Sequence, residues 1–112
     1  MIDNILESVK QLTSIEPDDH SFDEDILIYI NSTITNLYQM GVESDLYSVD
    51  EDTEWTDYLP EGHVLNMVKD YVSKKVRLKF DPPTGSALDA LEEVIKELEW
   101  RINVEVDPKE EE

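Results

Sequence analysis

Four stretches of the chain carry apolar residues at helical spacing, and the most regular pair runs from Val64 to Val104. In the first of that pair Val64, Val68, Val72, Val76 and Phe80 recur every fourth residue, with Leu65 and Tyr71 beside them, so one ridge of a helix is apolar. Pro82 and Pro83 lack backbone donors and push each preceding residue out of the α region, which stops that helix near Phe80. A new one begins at once. Thr84 or Ser86 can cap it, Asp89 and Glu92 suit the positive end of its dipole, and Leu88, Leu91, Ile95, Leu98 and Ile102 form its seam. The pair predicts a helical hairpin with a stiff corner, its arms near 61–80 and 86–102.

Upstream, Ile2, Ile5, Leu6, Val9 and Leu12 make a short stripe, with Asp3, Glu7 and Lys10 on other faces, and predict a helix near 2–14. It is too short to stand alone and must dock. Glu16-Pro17-Asp18-Asp19-His20 breaks the pattern, and Ser21 with Glu24 reads as a capping box for a second helix near 22–40. Ile26, Leu27, Ile30, Ile34 and Leu37 are its buried stripe, and Gly41 sits where a left-handed cap is wanted. The many β-branched residues lower helix propensity, but their period is helical and burial overrides propensity. Residues 43–60 lose the period and read as a long loop, with Asp57, Pro60 and Glu61 opening the third helix. Leu46, Tyr47, Val49, Trp55 and Tyr58 argue that the loop is pinned to something rather than disordered. The expected fold is all-α: a small four-helix domain with a long acidic loop between helices 2 and 3 and a Pro-Pro corner between helices 3 and 4. Residues 1–104 make one domain and 105–112 a flexible acidic tail.

Composition narrows the function more than the fold. Asp and Glu number 28 against 9 Lys and Arg, a formal net charge of −19. Such a chain repels nucleic-acid phosphates and anionic membranes at long range, which argues against a base-reading or lipid-surface role. Acidity that merely keeps a small protein soluble is the plainer explanation. Cysteine is absent, so there is neither a disulfide framework nor a thiolate site. No apolar run approaches the ~20 residues that cross a bilayer, and the first residues lack the basic start of a signal peptide, so a soluble cytoplasmic chain is expected.

Candidate chemistry is thin. Asp50-x-Asp52-x-Glu54 with Glu61 imitates a calcium loop, but Trp55 stands where a glycine must turn the backbone and Pro60 precedes the last acid. His20 and His63 lack metal or nucleophile-activating spacing and read as exposed. Gly41, Gly62 and Gly85 are isolated, so no phosphate-cradling loop exists, and no cofactor or enzymatic activity is expected. Five of the nine cations, Lys69, Lys74, Lys75, Arg77 and Lys79, fall in the third helix. Complementing the helix dipole and pairing with local acids explains them; a patch for an acidic partner is the alternative. Trp100 lies off its helix's seam and is either edge-of-core packing or an interface anchor.

The run VKDYVSKKVRLKFDPPTGSALDALEEVIKELEWRINV resembles the C-terminal half of the small head-tail connector (head-completion or adaptor) proteins of tailed bacteriophages and prophages. The residues that carry the resemblance are Tyr71, Lys75, Val76, Phe80, Asp81, Pro82, Pro83, Ser86, Glu97, Glu99 and Arg101. About a third of the chain shares it; the N-terminal half fits only in helical layout. The resemblance implies a ring-forming structural subunit of the virion's head-tail junction, assembled in the host cytoplasm. Its partners would be the portal protein, a head-closure (stopper) or tail protein, and further copies of itself, with DNA in transit but no sequence-specific binding and no membrane. The expected interface comprises Lys75, Arg77, Phe80, Asp81, Pro82, Pro83, Trp100 and Arg101. Asp50, Glu51, Asp52, Glu54 and Trp55 are expected to line the channel or clasp a neighbour, where an acidic lining would let DNA slide. The competing function is an acidic DNA mimic or regulatory module occupying a basic site on a nuclease or repressor.

Overall fold

The computed structural model describes residues 3–16 and 18–106. Asn4 begins the first helix by accepting the Glu7 N–H on its side-chain oxygen at 2.9 Å, and α1 runs Ile5–Leu12. Ser14 closes it in a left-handed conformation (φ 65°), with the Ile15 N–H returning to the Lys10 carbonyl at 2.9 Å. Ile5, Leu6 and Val9 are buried as the stripe requires, whereas Leu12 is 60% exposed. In its place Lys10 turns inward and is only 2% exposed, because its ammonium meets Asp23 Oδ1 at 2.8 Å.

Asp23 opens α2 (Asp23–Met40). The expected Ser21 capping box does not form: Phe22 occupies the cap position without a side-chain hydrogen bond, and the Ser21 N–H is held instead by Asp19 Oδ1 at 3.0 Å. Ile26, Ile30, Ile34 and Leu37 are buried in one stripe, with Leu27 at its edge. The β-branched positions are accommodated locally, Thr33 and Thr35 each donating to the carbonyl four residues back. Gly41 ends the helix at φ 110°, and the Val42 N–H reaches the Leu37 carbonyl at 3.0 Å.

The stretch 43–60 contains one helical turn that the sequence pattern does not show, α3 (Trp55–Tyr58), so the described residues form five helices rather than four. Asp57 belongs to this turn, accepting the Glu54 N–H at 3.0 Å, and does not open the next helix. That helix, α4 (His63–Phe80), starts two residues later than expected and has no acid in its first turn. It is the sequence-expected third helix. Leu65, Val68, Tyr71, Val72 and Val76 are buried along it, with Val64 and Phe80 packed at the margin. It stops at Phe80 before the prolines. Gly85 (φ 64°) then turns the chain into α5 (Ser86–Val106), where Leu88 and Asp89 donate to the Gly85 carbonyl. Among the described residues neither Thr84 nor Ser86 makes a side-chain cap. Ile95, Leu98 and Ile102 are buried, Leu88 and Leu91 half-buried, and α5 continues past the expected end at 102. Asp107–Glu112, most of the expected tail, lie outside the described residues.

The helix α4 is the centre of the molecule, packed against α5, α2 and α1. Phe22 and Phe80 meet edge-on at 5.1 Å, while Asn36 and Tyr71 meet further along, so α2 runs antiparallel to α4. No strand occurs among the described residues, only an isolated antiparallel bridge between Asn4 and Glu54.

Candidate interaction surfaces

Three surfaces follow from this packing. The first is the acidic stretch 43–57. It is not a floppy loop, because Val49 exchanges two hydrogen bonds with the Asn31 side chain on α2, at 2.6 and 3.0 Å. Ile5 and Trp55 pair through the backbone with Thr53 and Asp3 at 3.0 and 2.8 Å, and the Trp55 indole donates to Ser8 Oγ at 2.8 Å. Trp55 and Tyr58 are buried, which is the pinning expected of the aromatics, but Tyr47 is 79% exposed. Of the expected channel residues, Asp50, Glu51, Asp52 and Glu54 are exposed and Trp55 is not. Asp50 accepts from the Asp52 N–H and the Thr53 hydroxyl, both at 2.9 Å, and these bonds hold its carboxyl below the usual range. Both bonds fall on one oxygen, Oδ1, inside the turn. No group of three potential metal ligands gathers among the described residues, at this loop or elsewhere.

The second surface is a polar groove of about 400 Å³ between α2 and α4, lined by Tyr29, Ser32, Asn36, Gln39, Lys75 and Lys79 among others. Its floor is rigid. The Asn36 amide donates to the Tyr71 hydroxyl at 2.7 Å, and that hydroxyl donates to Glu99 Oε2 at 2.8 Å. Burial, then the Glu99 carboxylate, raises the Tyr71 pKa well above its ordinary value. Lys75 lies over the Tyr71 ring, 5.8 Å from its centre. Of the α4 cations, Lys74 pairs with Asp70 one turn back. Lys69, Lys75, Arg77 and Lys79 form no ion pair among the described residues, although acids outnumber cations threefold.

The third surface belongs to α5. Trp100 is 67% exposed, and Arg101 pairs loosely with Glu97 at 3.3 Å. The expected interface residues therefore divide. Lys75, Arg77, Phe80, Asp81, Pro82 and Pro83 cluster at the corner end of the hairpin, whereas Trp100 lies fourteen residues along α5 from Ser86, about 21 Å at the helical rise. Sequence periodicity could not show the inward turn of Lys10, the groove's α2 lining, or Tyr58, whose hydroxyl is buried without a hydrogen-bond partner and is pushed up to about 12 by desolvation. His20 stays exposed as expected, its Nδ1 2.7 Å from Asp23 Oδ2. His63 is exposed at the start of α4. No described helix is long and apolar enough to cross a membrane.

A family model described as phage connector protein matches residues 5–109. No curated protein and no solved structure matches the chain.

Proposed function

The chain belongs to the phage connector protein family, and from that membership we infer that it is a head-tail connector subunit that joins a ring under the portal and docks the head-closure or tail protein. Connectors are structural parts of the virion rather than catalysts. The family match across residues 5–109 carries the conclusion, and the rigid α4–α5 hairpin supplies its physical means. A ring needs two different, complementary faces on each copy, set at a fixed angle. Helices joined by a Pro-Pro corner and cross-tied through Tyr71 to Glu99 hold such an angle without help from a ligand. Trp100 and Arg101 on α5 serve one docking face, since a large exposed indole is the side chain most often found at the energetic centre of an interface. The partners are the portal, the protein that closes the head, and further copies. DNA passes through without sequence-specific contact, as the charge of −19 favours.

Electron microscopy of the protein mixed with portal tests this directly. The expected result is extra ring density under the portal. A protein that stays separate from portal, and instead inhibits a nuclease by filling its DNA site, would replace the connector with the DNA mimic.

A further inference from the structure

We propose that the α2–α4 groove, with Lys75 and Lys79 on its rim, receives the acidic tip Glu51-Asp52 of a second copy of this chain. The proposal rests on the ring role above and names the two faces that would meet. Lys75 and Lys79 are left without an acid in their own chain, among the described residues, even though 28 acids are present. Beside them Ser32, Asn36 and Gln39 offer hydroxyl and amide donors. Ammonium and neutral donors around one concave surface suit a carboxylate, and the Asn36–Tyr71–Glu99 chain with Lys75 over Tyr71 keeps that surface in shape before anything binds.

The matching anion is the acidic tip of the loop. The tip is exposed, and its backbone is already immobilised. The Asn4 amide donates to the Glu51 carbonyl at 2.8 Å, Asp52 N–H donates to Asp50, and Val49 is fastened to Asn31. Little ordering entropy remains to be lost when it docks. The tip and the groove do not meet within one copy: Asn31, which holds the loop, is not among the groove's lining residues, and neither Lys75 nor Lys79 pairs with Glu51 or Asp52. Two unlike faces on one subunit make a head-to-tail contact, the kind that closes into a ring. DNA phosphate is the other anion at hand, but a chain of −19 repels a duplex at long range. Copies repel one another too, so a local contact of opposite sign is what lets identical acidic subunits sit side by side.

Charge exchange tests the pairing in the full chain, mixed with portal and examined by electron microscopy and native mass spectrometry. Lys75→Glu with Lys79→Glu, or Glu51→Lys with Asp52→Lys, is expected to weaken copy-to-copy association roughly tenfold or more, and Lys79→Glu alone, which leaves Lys75 over Tyr71, should weaken it too while leaving the melting temperature of the monomer unchanged. The two sets combined should restore it. Because the chain has no cysteine, a Lys79→Cys, Glu51→Cys variant gives an independent readout: a ladder of disulfide-linked copies on a non-reducing gel. Rings that form normally in both charge-reversed variants, with no ladder, overturn the pairing and leave the connector role standing. Wild-type protein that never self-associates on portal overturns both.

Discussion

The hydroxyl of Tyr71 donates to Glu99 Oε2 at 2.8 Å while accepting from the Asn36 amide at 2.7 Å, so one fully buried phenol joins α2, α4 and α5. Tyr71→Phe keeps the ring in the core and removes both bonds, leaving Asn36 and Glu99 half-buried and unsatisfied. The expected loss is about 1–3 kcal/mol, with a fall in melting temperature of roughly 4–8 °C per kcal/mol. Thermal denaturation by circular dichroism checks it; a melting point equal to wild type would mean that the three helices do not depend on the tie.

Alkaline pH should act on the same core. The Tyr58 hydroxyl is pushed from 10.0 to about 12 by burial, and Tyr71 is raised as well, by burial first and then by Glu99. Both phenols are more acidic in the unfolded chain, so their contribution is complete below pH 10 and disappears as pH climbs through the folded values. Stability measured by urea titration should be flat from pH 8 to about 10 and drop steeply towards 12, with a shallower drop in Tyr58→Phe.

The Lys10–Asp23 pair gives a third test. Desolvation raises the Asp23 pKa, but the hydrogen bonds from Lys10 and then His20 outweigh it and hold the carboxyl below 3.8. Its contribution is therefore present above that pH and lost below it. Asp23→Ala removes the carboxylate that faces a buried ammonium and should cost about 3 kcal/mol, whereas Lys10→Met, which keeps the side chain's apolar length, should cost clearly less. Equal losses in urea unfolding would show that packing of the Lys10 stem, and not charge, matters at this position.

At Gly41 the backbone is left-handed (φ 110°), and an added Cβ would stand 3.2 Å from Val106 Cγ2. Gly41→Ala should destabilise by about 1–2 kcal/mol, through strain in the cap and displacement of the end of α5. A double variant, Gly41→Ala with Val106→Ala, recovers the steric part alone, which denaturant midpoints can resolve.

Trp100→Ala separates folding from assembly. With two thirds of its surface exposed, the indole should contribute within about 0.5 kcal/mol to the monomer. Binding to portal or to the head-closure protein should fall by at least about tenfold, as loss of an anchoring aromatic does. Unchanged binding in a sedimentation assay would remove Trp100 from the interface.

The apolar period of four residues and the prolines at 82 and 83 were enough to place α2, the end of α4 and the start of α5, because helix geometry and the missing proline donors act locally. Gly41 was legible for the same reason. The acidic run could also be read without coordinates, whereas the exposure of Trp100 and the cations of α4 that pair with no local acid could not. Tertiary packing decided the rest. The period of α1 cannot reveal that Lys10 faces inward, since its Asp23 partner comes from another helix. Nor can composition show that 43–60 holds a helical turn and lies clamped, for the clamps Asn31, Asn4 and Ser8 are ordinary polar residues until the chain folds them against the loop. Periodicity dictates which face of a helix is greasy, but what meets a polar side chain depends on elements far away in the sequence. For that reason the hairpin was visible in the letters alone, and the placing of the acidic tip and the lysine-rimmed groove was not.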